Sequence, residues 1–307
     1  MFSIAQFGSV CRKTNDLYSD HDLLVICEGK KRKYYYDKFT KRGYSVSTFT
    51  ENQLYNMKRK GSLFLQHLKL ESRILVDKND SLKTFLDDCL LIAPSNIEID
   101  NCRRTIEKLY CWPNDAKSIA WKADFLYGSS RDYLIKLLAK HGIFAFGLDN
   151  IIAQCSEVFA IELELFQPLI LLRCIKSAYR SDIELPDYSA IKKAIDDWFD
   201  LLKIKMSFSY NLLNDNEFLI RGEFSSNYER LRYLEIIYVS LVGGGYVHEK
   251  HHEIVNYILQ PNLYQSLKRC KVKNIEIFFN ELYSIYNHTV FCYLNIPLKS
   301  NILMQQF

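Results

Sequence analysis

Apolar positions follow two different periods along this chain, a short one in its N-terminal third and a longer one beyond it. Ser3-Ile4-Ala5-Gln6-Phe7 and Tyr44-Ser45-Val46-Ser47-Thr48-Phe49 alternate residue by residue, the pattern of half-buried strands. Leu23-Leu24-Val25-Ile26 is instead continuously apolar, so the stretch Asp20–Cys27 reads as a central strand covered on both faces. Ser72-Arg73-Ile74-Leu75-Val76-Asp77 is a fourth strand, ending in the polar turn Lys78-Asn79-Asp80-Ser81. Between strands, a short helix follows Gly8-Ser9 to about Leu17. Lys30 to Lys41 reads as a helix with Tyr34, Tyr35 and Phe39 free to pack on the sheet. Thr50-Glu51-Asn52-Gln53 opens another toward Lys60, and Gly61–Lys69 is a third or a lid.

Beyond Pro94 the pattern predicts a linker at Ser95–Asp100 and then helices. Ser129 to Asp132 matches a helix-opening capping box, with Leu134, Leu137, Leu138 and His141 following on one face. Ser156–Arg180 reads as a helix kinked at Pro168, and Ile191, Ile195, Trp198, Phe199 and Leu202 form an apolar stripe. Residues 206–223 are irregular, with Asn211, Asn214, Asp215 and Asn216 marking a turn. Tyr228–Val242 is a further helix, stopped by Gly243-Gly244-Gly245. The fold class is therefore α+β: an N-terminal domain over residues 1–92, then a mostly helical region over 93–307, with a subdivision near 206–223.

Composition narrows the setting. The 307 residues are 48% hydrophobic and 25% charged, as in a globular protein large enough for two cores. Nine cysteines, odd in number and without a CxxC pair, read as reduced thiols of a cytoplasmic protein. No stretch predicts a membrane span, since the most apolar late run, Val158–Leu172, contains Glu162, Glu164 and Pro168. Residues 1–92 carry 16 Lys and Arg against 11 Asp and Glu, whereas the remainder is balanced at 24 against 25. Basic surplus thus gathers in the N-terminal domain, at Lys30-Lys31-Arg32-Lys33 and Lys58-Arg59-Lys60, where it suits polyphosphate or RNA or is a solvated surface.

The chemistry concentrates in Phe7–Ile26. Gly8 allows a backbone to approach a phosphate, and the Ser9 hydroxyl can donate to one. Arg12 adds positive charge one helical turn on. Asp20 and Asp22 open the apolar strand from one face, with His21 pointing to the other, and two hard carboxylates so placed suit Mg²⁺ or Mn²⁺. Phe7-Gly8-Ser9, a gap of ten residues, then Asp20-His21-Asp22-Leu23 resembles the signature of nucleotidyltransferases of the DNA polymerase beta-like superfamily. The resemblance covers roughly residues 1–92 and implies a mixed-sheet catalytic domain followed by helices. It implies that Asp20 and Asp22 are catalytic and hold the metal, that Gly8, Ser9 and Arg12 bind the NTP phosphates, and that pyrophosphate leaves as an NMP is transferred. Lys31 and Arg32, near the aspartate strand, are further candidates to reach a triphosphate or an acidic acceptor. His21 departs from the apolar residue usual at that place and is expected to pack under a covering helix.

One departure bears on activity. Active members carry a third carboxylate on the next strand, where this chain has Ser45 and Ser47. It works with two aspartates, recruits Glu51 or Asp77, or binds nucleotide without catalysis; Asp77 itself reads as a turn former. A separate pattern, His248-Glu249-Lys250-His251-His252, spells HExxH, which on a helix binds zinc for peptide hydrolysis, with Asn280-Glu281-Leu282-Tyr283-Ser284 as a source of a third ligand. An exposed polar helix start is the competing reading. Arg269 and Asn274 only loosely match a ribonuclease spacing. The acceptor is left open among RNA, protein and small molecule, and a homo-oligomer is compatible with the sequence.

Overall fold

The computed structural model describes residues 1–13, 21–110, 114, 116, 118–181 and 183–210. Asp20, the HExxH segment at 248–252, the segment 280–284, Arg269, Asn274, the glycine run 243–245, the turn within 211–216 and the helix expected at 228–242 lie outside them. Within the described residues the chain is α+β, a four-stranded mixed sheet followed by helices.

The strands are β1 (Ser3–Phe7), β2 (Asp22–Ile26), β3 (Ser45–Phe49) and β4 (Arg73–Asp77), in the order β3-β2-β1-β4. Strand β1 lies antiparallel to both β2 and β4, and β2 runs parallel to β3. The continuous apolar run of β2 does place it inside the sheet, with Leu23, Leu24, Val25 and Ile26 at most 2% exposed. A parallel neighbour requires a crossover, and helix α2 (Arg32–Thr40), entered through a 3₁₀ turn at Gly29–Lys31, provides it. Tyr35 and Phe39 of α2 pack with Leu23, Val25 and Cys27 on one face. Leu24, Ile26, Ala5 and Phe7 face the other way, onto α3 (Glu51–Arg59), α4 (Leu63–Glu71) and α5 (Ser81–Asp87) through Leu54, Leu65, Leu68, Leu82, Phe85 and Leu86.

Local chemistry explains the ends. Thr50 and Gln53 exchange the two bonds of a capping box at the start of α3. Asp77 accepts from the backbone N–H groups of Leu82 and Lys83 and from the hydroxyls of Ser3 and Ser81, closing the turn into α5. Burial pushes its carboxyl upward, but these four donors outweigh it and hold the group below its ordinary range. Asp77 is thus the turn former that the sequence suggested. Gln66, 1% exposed, clamps the backbone of Ile92 with reciprocal bonds of 3.0 Å and so ties the segment after α5 to α4.

Three helical expectations need correction. Residues 95–100 are not a linker: they start α6 (Asn96–Tyr110), with Ser95 and Glu98 in reciprocal capping bonds. Ser129–Asp132 starts nothing, because α7 runs unbroken from Ile119 to Lys140. Its first turns bury Ile119, Trp121, Ala123, Phe125 and Leu126, and this packing holds the backbone helical through Ser129. Leu134 and Leu138 are buried as expected, while His141 is exposed beyond the helix end. Pro168 does not kink a helix either. The break falls earlier, where α8 (Leu148–Phe159) ends at Ala160 in the left-handed conformation, and Pro168 sits in the first turn of α9 (Gln167–Ser181), where no N–H is needed.

The chain divides into two compact units, one of Met1–Cys102 with Gly128–Ile170, the other of Arg103–Tyr127 with the chain from Leu171. The boundaries fall inside α6, α7 and α9. In the second unit, Ile191, Ile195, Trp198, Phe199 and Leu202 of α10 (Tyr188–Met206) are all at most 2% exposed, as their spacing predicts. There Arg180 grips Asp124 with two bonds of 2.9 and 3.1 Å, and the buried Lys122 donates to Asn114 at 2.8 Å. Among the described residues no helix is long and apolar enough to cross a membrane.

Candidate functional site

Strand pairing brings Phe7 opposite Asp22, so the turn at Gly8-Ser9 leaves the sheet beside the carboxylate that opens β2. Gly8 is buried, with φ 78° and ψ −156°, a combination open essentially to glycine alone. A Cβ there would lie 2.7 Å from Oδ2 of Asp22. The two halves of the sequence motif therefore touch, and the contact exists because residue 8 lacks a side chain. The helix that follows, α1 (Ser9–Arg12), is one turn long and ends at Lys13 in the left-handed conformation.

The parallel register sets Ser45 directly beside Asp22 and Ser47 beside Leu24. Because alternate residues share a face, Asp22, Ser45 and Ser47 stand on the side covered by α3, α4 and α5. A hydroxyl, not a carboxylate, occupies the neighbouring strand position. Glu51 and Asp77 stand at the wrong end to replace it. Each follows or ends a strand at the Ile26 and Ser3 end of the sheet, about 13 Å along β2 from Asp22 at about 3.3 Å per residue. Glu51 meets the Met1 amino group at 2.7 Å. Lys31 and Arg32 lie at that far end as well, and Arg32 donates to the carbonyl and hydroxyl of Thr48. His21 is exposed, edge-on to Tyr44, and is not covered by a helix.

The end of the sheet that holds Asp22 contains charged residues that the sequence did not single out. Arg12 forms an ion pair with Glu71, the last residue of α4, and its guanidinium lies against the Cα of Gly147. Glu71 Oε2 is also 2.9 Å from Nε2 of His67, one turn earlier, though off the line of a ring N–H bond. His67 is stacked on Phe146 at 4.5 Å and meets the edge of Phe7 at 5.7 Å. Arg131 donates to the carbonyl of Phe146 at 2.6 Å. The side chains of Arg12, His67 and Glu71 are 21%, 12% and 14% exposed, so the cluster is largely shielded from water.

Burial lowers the pKa of His67, and the nearby Arg131 and Arg12 act in the same direction against the support of Glu71. Burial pushes Glu71 up, but contact with His67 and Arg12 outweighs it and holds the carboxyl below its ordinary range. With His67 neutral at neutral pH, Arg12 is the cation that balances Glu71. The linkage sign is the same for both groups. A lowered folded pKa means that the unfolded chain binds more protons, so the stabilisation is present above the unfolded value and lost as pH falls through the folded one. For His67 the loss begins near the ordinary value of about 6.5 and continues below it. We expect the urea midpoint to drop from pH 7.5 to 5.5, and His67→Phe, which keeps the ring stacking, to flatten that drop by up to about 1.4 kcal/mol per pH unit. Equal slopes in the two proteins would remove His67 from this account.

Among the described residues no group of three or more His, Cys, Asp and Glu stands together as a metal cage. Asp22 is the described member of the aspartate pair, and Asp20 lies outside the described residues. The hidden signal for the cluster was a His and a Glu four residues apart within an otherwise leucine-rich helix, LFLQHLKLE. No protein-family model, curated protein or solved structure matches this chain.

Proposed function

We propose that this protein is a metal-dependent nucleotidyltransferase that moves an NMP from an NTP to an acceptor, with release of pyrophosphate. One observation carries the reading: the carboxylate of Asp22 fills the space that any side chain at residue 8 would need. A Gly-Ser turn pressed against a strand-opening carboxylate is the arrangement that the motif requires. In it, Gly8 and Ser9 present a backbone N–H and a hydroxyl to the terminal phosphates. Arg12 meets the same phosphates by exchanging Glu71 for phosphate oxygen. Asp20 and Asp22, hard oxygen donors, would hold Mg²⁺ or Mn²⁺, and the ion would neutralise phosphate charge. The acceptor oxygen attacks the α-phosphorus, a new O–P bond forms, and the bond to the β-phosphate oxygen breaks with pyrophosphate as leaving group. Positioning and charge balance are the protein's contribution.

Ser45 beside Asp22 favours a second reading, a nucleotide-binding regulatory protein with impaired catalysis. The third carboxylate of active members is a hydroxyl here, which leaves less negative charge to hold ions and no group there to take the acceptor proton.

The test is pyrophosphate release from each of the four NTPs with Mg²⁺ or Mn²⁺, with total RNA and protein extract as acceptors. The wild type is compared with Asp20→Ala/Asp22→Ala. Release that disappears in the double variant supports the transferase. NTP binding without release supports the regulatory reading, and absence of both overturns each.

A further inference from the structure

We propose that the exposed face of α2 with its flanking residues is a docking surface for single-stranded RNA, which it leads toward Asp22. Residues 28–42 hold seven Lys and Arg against two acidic residues, Glu28 and Asp37. Arg32 is tied to Thr48, and Lys30 and Lys31 share Glu28 at 3.6 and 3.5 Å. Lys33, Lys38, Lys41 and Arg42 are exposed, and no carboxylate among the described residues pairs with them. Uncompensated cations concentrated on one short helix and the turn that follows it attract a polyanion, and release of its counterions drives binding.

The helix also decides what kind of polyanion fits. Tyr34 is 60% exposed and lies one helical turn before Lys38, whose ammonium is 5.7 Å from its ring. An exposed ring beside a cation is a platform on which an unpaired base stacks. An anionic membrane fits poorly. Lipid binding by a basic helix needs a free apolar face, and that of α2, Tyr35 and Phe39, already covers Leu23 and Val25.

Direction follows from topology. Helix α2 is a crossover, so it returns the chain to the end of the sheet where Asp22 stands. Lys41 and Arg42 come just before Ser45, whose N–H donates to the carbonyl of His21 at 2.9 Å. Nine residues of helix span about 14 Å. A strand held along it has one end at the edge of the sheet where Asp22 opens β2, from which an acceptor end reaches round to the Asp22 face. The choice of RNA, and its role as acceptor, rest on the proposed function. The nucleic-acid surface does not.

The experiment is fluorescence anisotropy of the full chain with a labelled 20-nucleotide single-stranded RNA, without NTP or divalent metal, across salt concentrations. Lys38→Glu/Lys41→Glu/Arg42→Glu is expected to weaken binding at least tenfold and to lower the salt slope by about 2, at about 0.7 per phosphate contact. Tyr34→Ala is expected to weaken it about tenfold with the slope unchanged, and Tyr34→Phe to restore it. These side chains are exposed, and circular dichroism checks that each variant folds. No binding by the wild type, or binding that the triple variant leaves intact, overturns the surface. Tighter binding to vesicles containing phosphatidylserine overturns the choice of nucleic acid. Equal binding of the matching single-stranded DNA overturns the choice of RNA. Because the assay needs no catalysis, its failure is separable from failure of pyrophosphate release.

Discussion

Asp22→Asn is expected to cut NTP-dependent pyrophosphate release by about 10²- to 10³-fold while leaving the fold in place. The substitution keeps the shape that rests against Gly8 while it removes the charge and exchanges one acceptor oxygen for an amide NH2. The ladder around residue 22 is made by backbone groups paired with Phe7 and Ser45, which the substitution leaves in place. The loss therefore reports the electrostatic role, on the scale seen when one preorganised group at a reacting centre is removed. Initial rates at saturating NTP, taken beside urea midpoints, measure both parts. A rate within tenfold of the wild type would take Asp22 out of the reaction. A collapsed midpoint would show that its charge is structural.

Gly8→Ala should be nearly as damaging, through geometry alone. A methyl group at residue 8 meets Asp22 Oδ2 at 2.7 Å, closer than real contacts allow, and the backbone there sits at φ 78°, ψ −156°. Backbone strain costs about 1–3 kcal/mol, and the carboxylate must also swing away. Displacement of about 1 Å at a reacting centre costs about 10²-fold in rate, so activity should fall by at least that much even at saturating substrate. Gly142→Ala separates the two effects. Gly142 also has a left-handed φ, 80°, after the end of α7, but nothing lies within 4 Å of its absent Cβ. That variant should lose stability and keep its rate. Equal rate loss in the two would mean that stability, not the placement of Asp22, limits activity.

The capping patterns show how far local sequence carries. Ser95-x-x-Glu98 and Ser129-x-x-Asp132 offer similar side chains three residues apart. The first caps α6 and the second lies inside α7. A capping hydroxyl works only where the preceding backbone is free to leave the helix, and burial of Trp121, Phe125 and Leu126 removes that freedom upstream of Ser129. Pro168 makes the same point, since its tolerance depends on whether a helix starts or continues there, which the left-handed Ala160 decides.

The site divides similarly. Gly8, Ser9, Arg12, Asp20 and Asp22 could be read together as one motif because they lie within fifteen residues, where spacing and strand alternation act locally. Glu71 and His67 were not, since their four-residue spacing in a leucine-rich helix does not say which distant cation they will meet. Their meeting with Arg12 depends on α4 packing over Phe7 and on the arrival of Phe146 and Gly147 from α8's N-terminal approach.

By itself, then, the sequence determined the strands and the buried run of β2, because backbone periodicity acts over a few residues. Tertiary structure alone decided that Arg12 pairs with Glu71, that Glu51 and Asp77 stand at the end of the sheet away from Asp22, and that Lys33 and Lys38 of α2 face outward. Those outcomes turn on strand order and on which helix covers which face, quantities set by the burial of apolar surface across the whole unit.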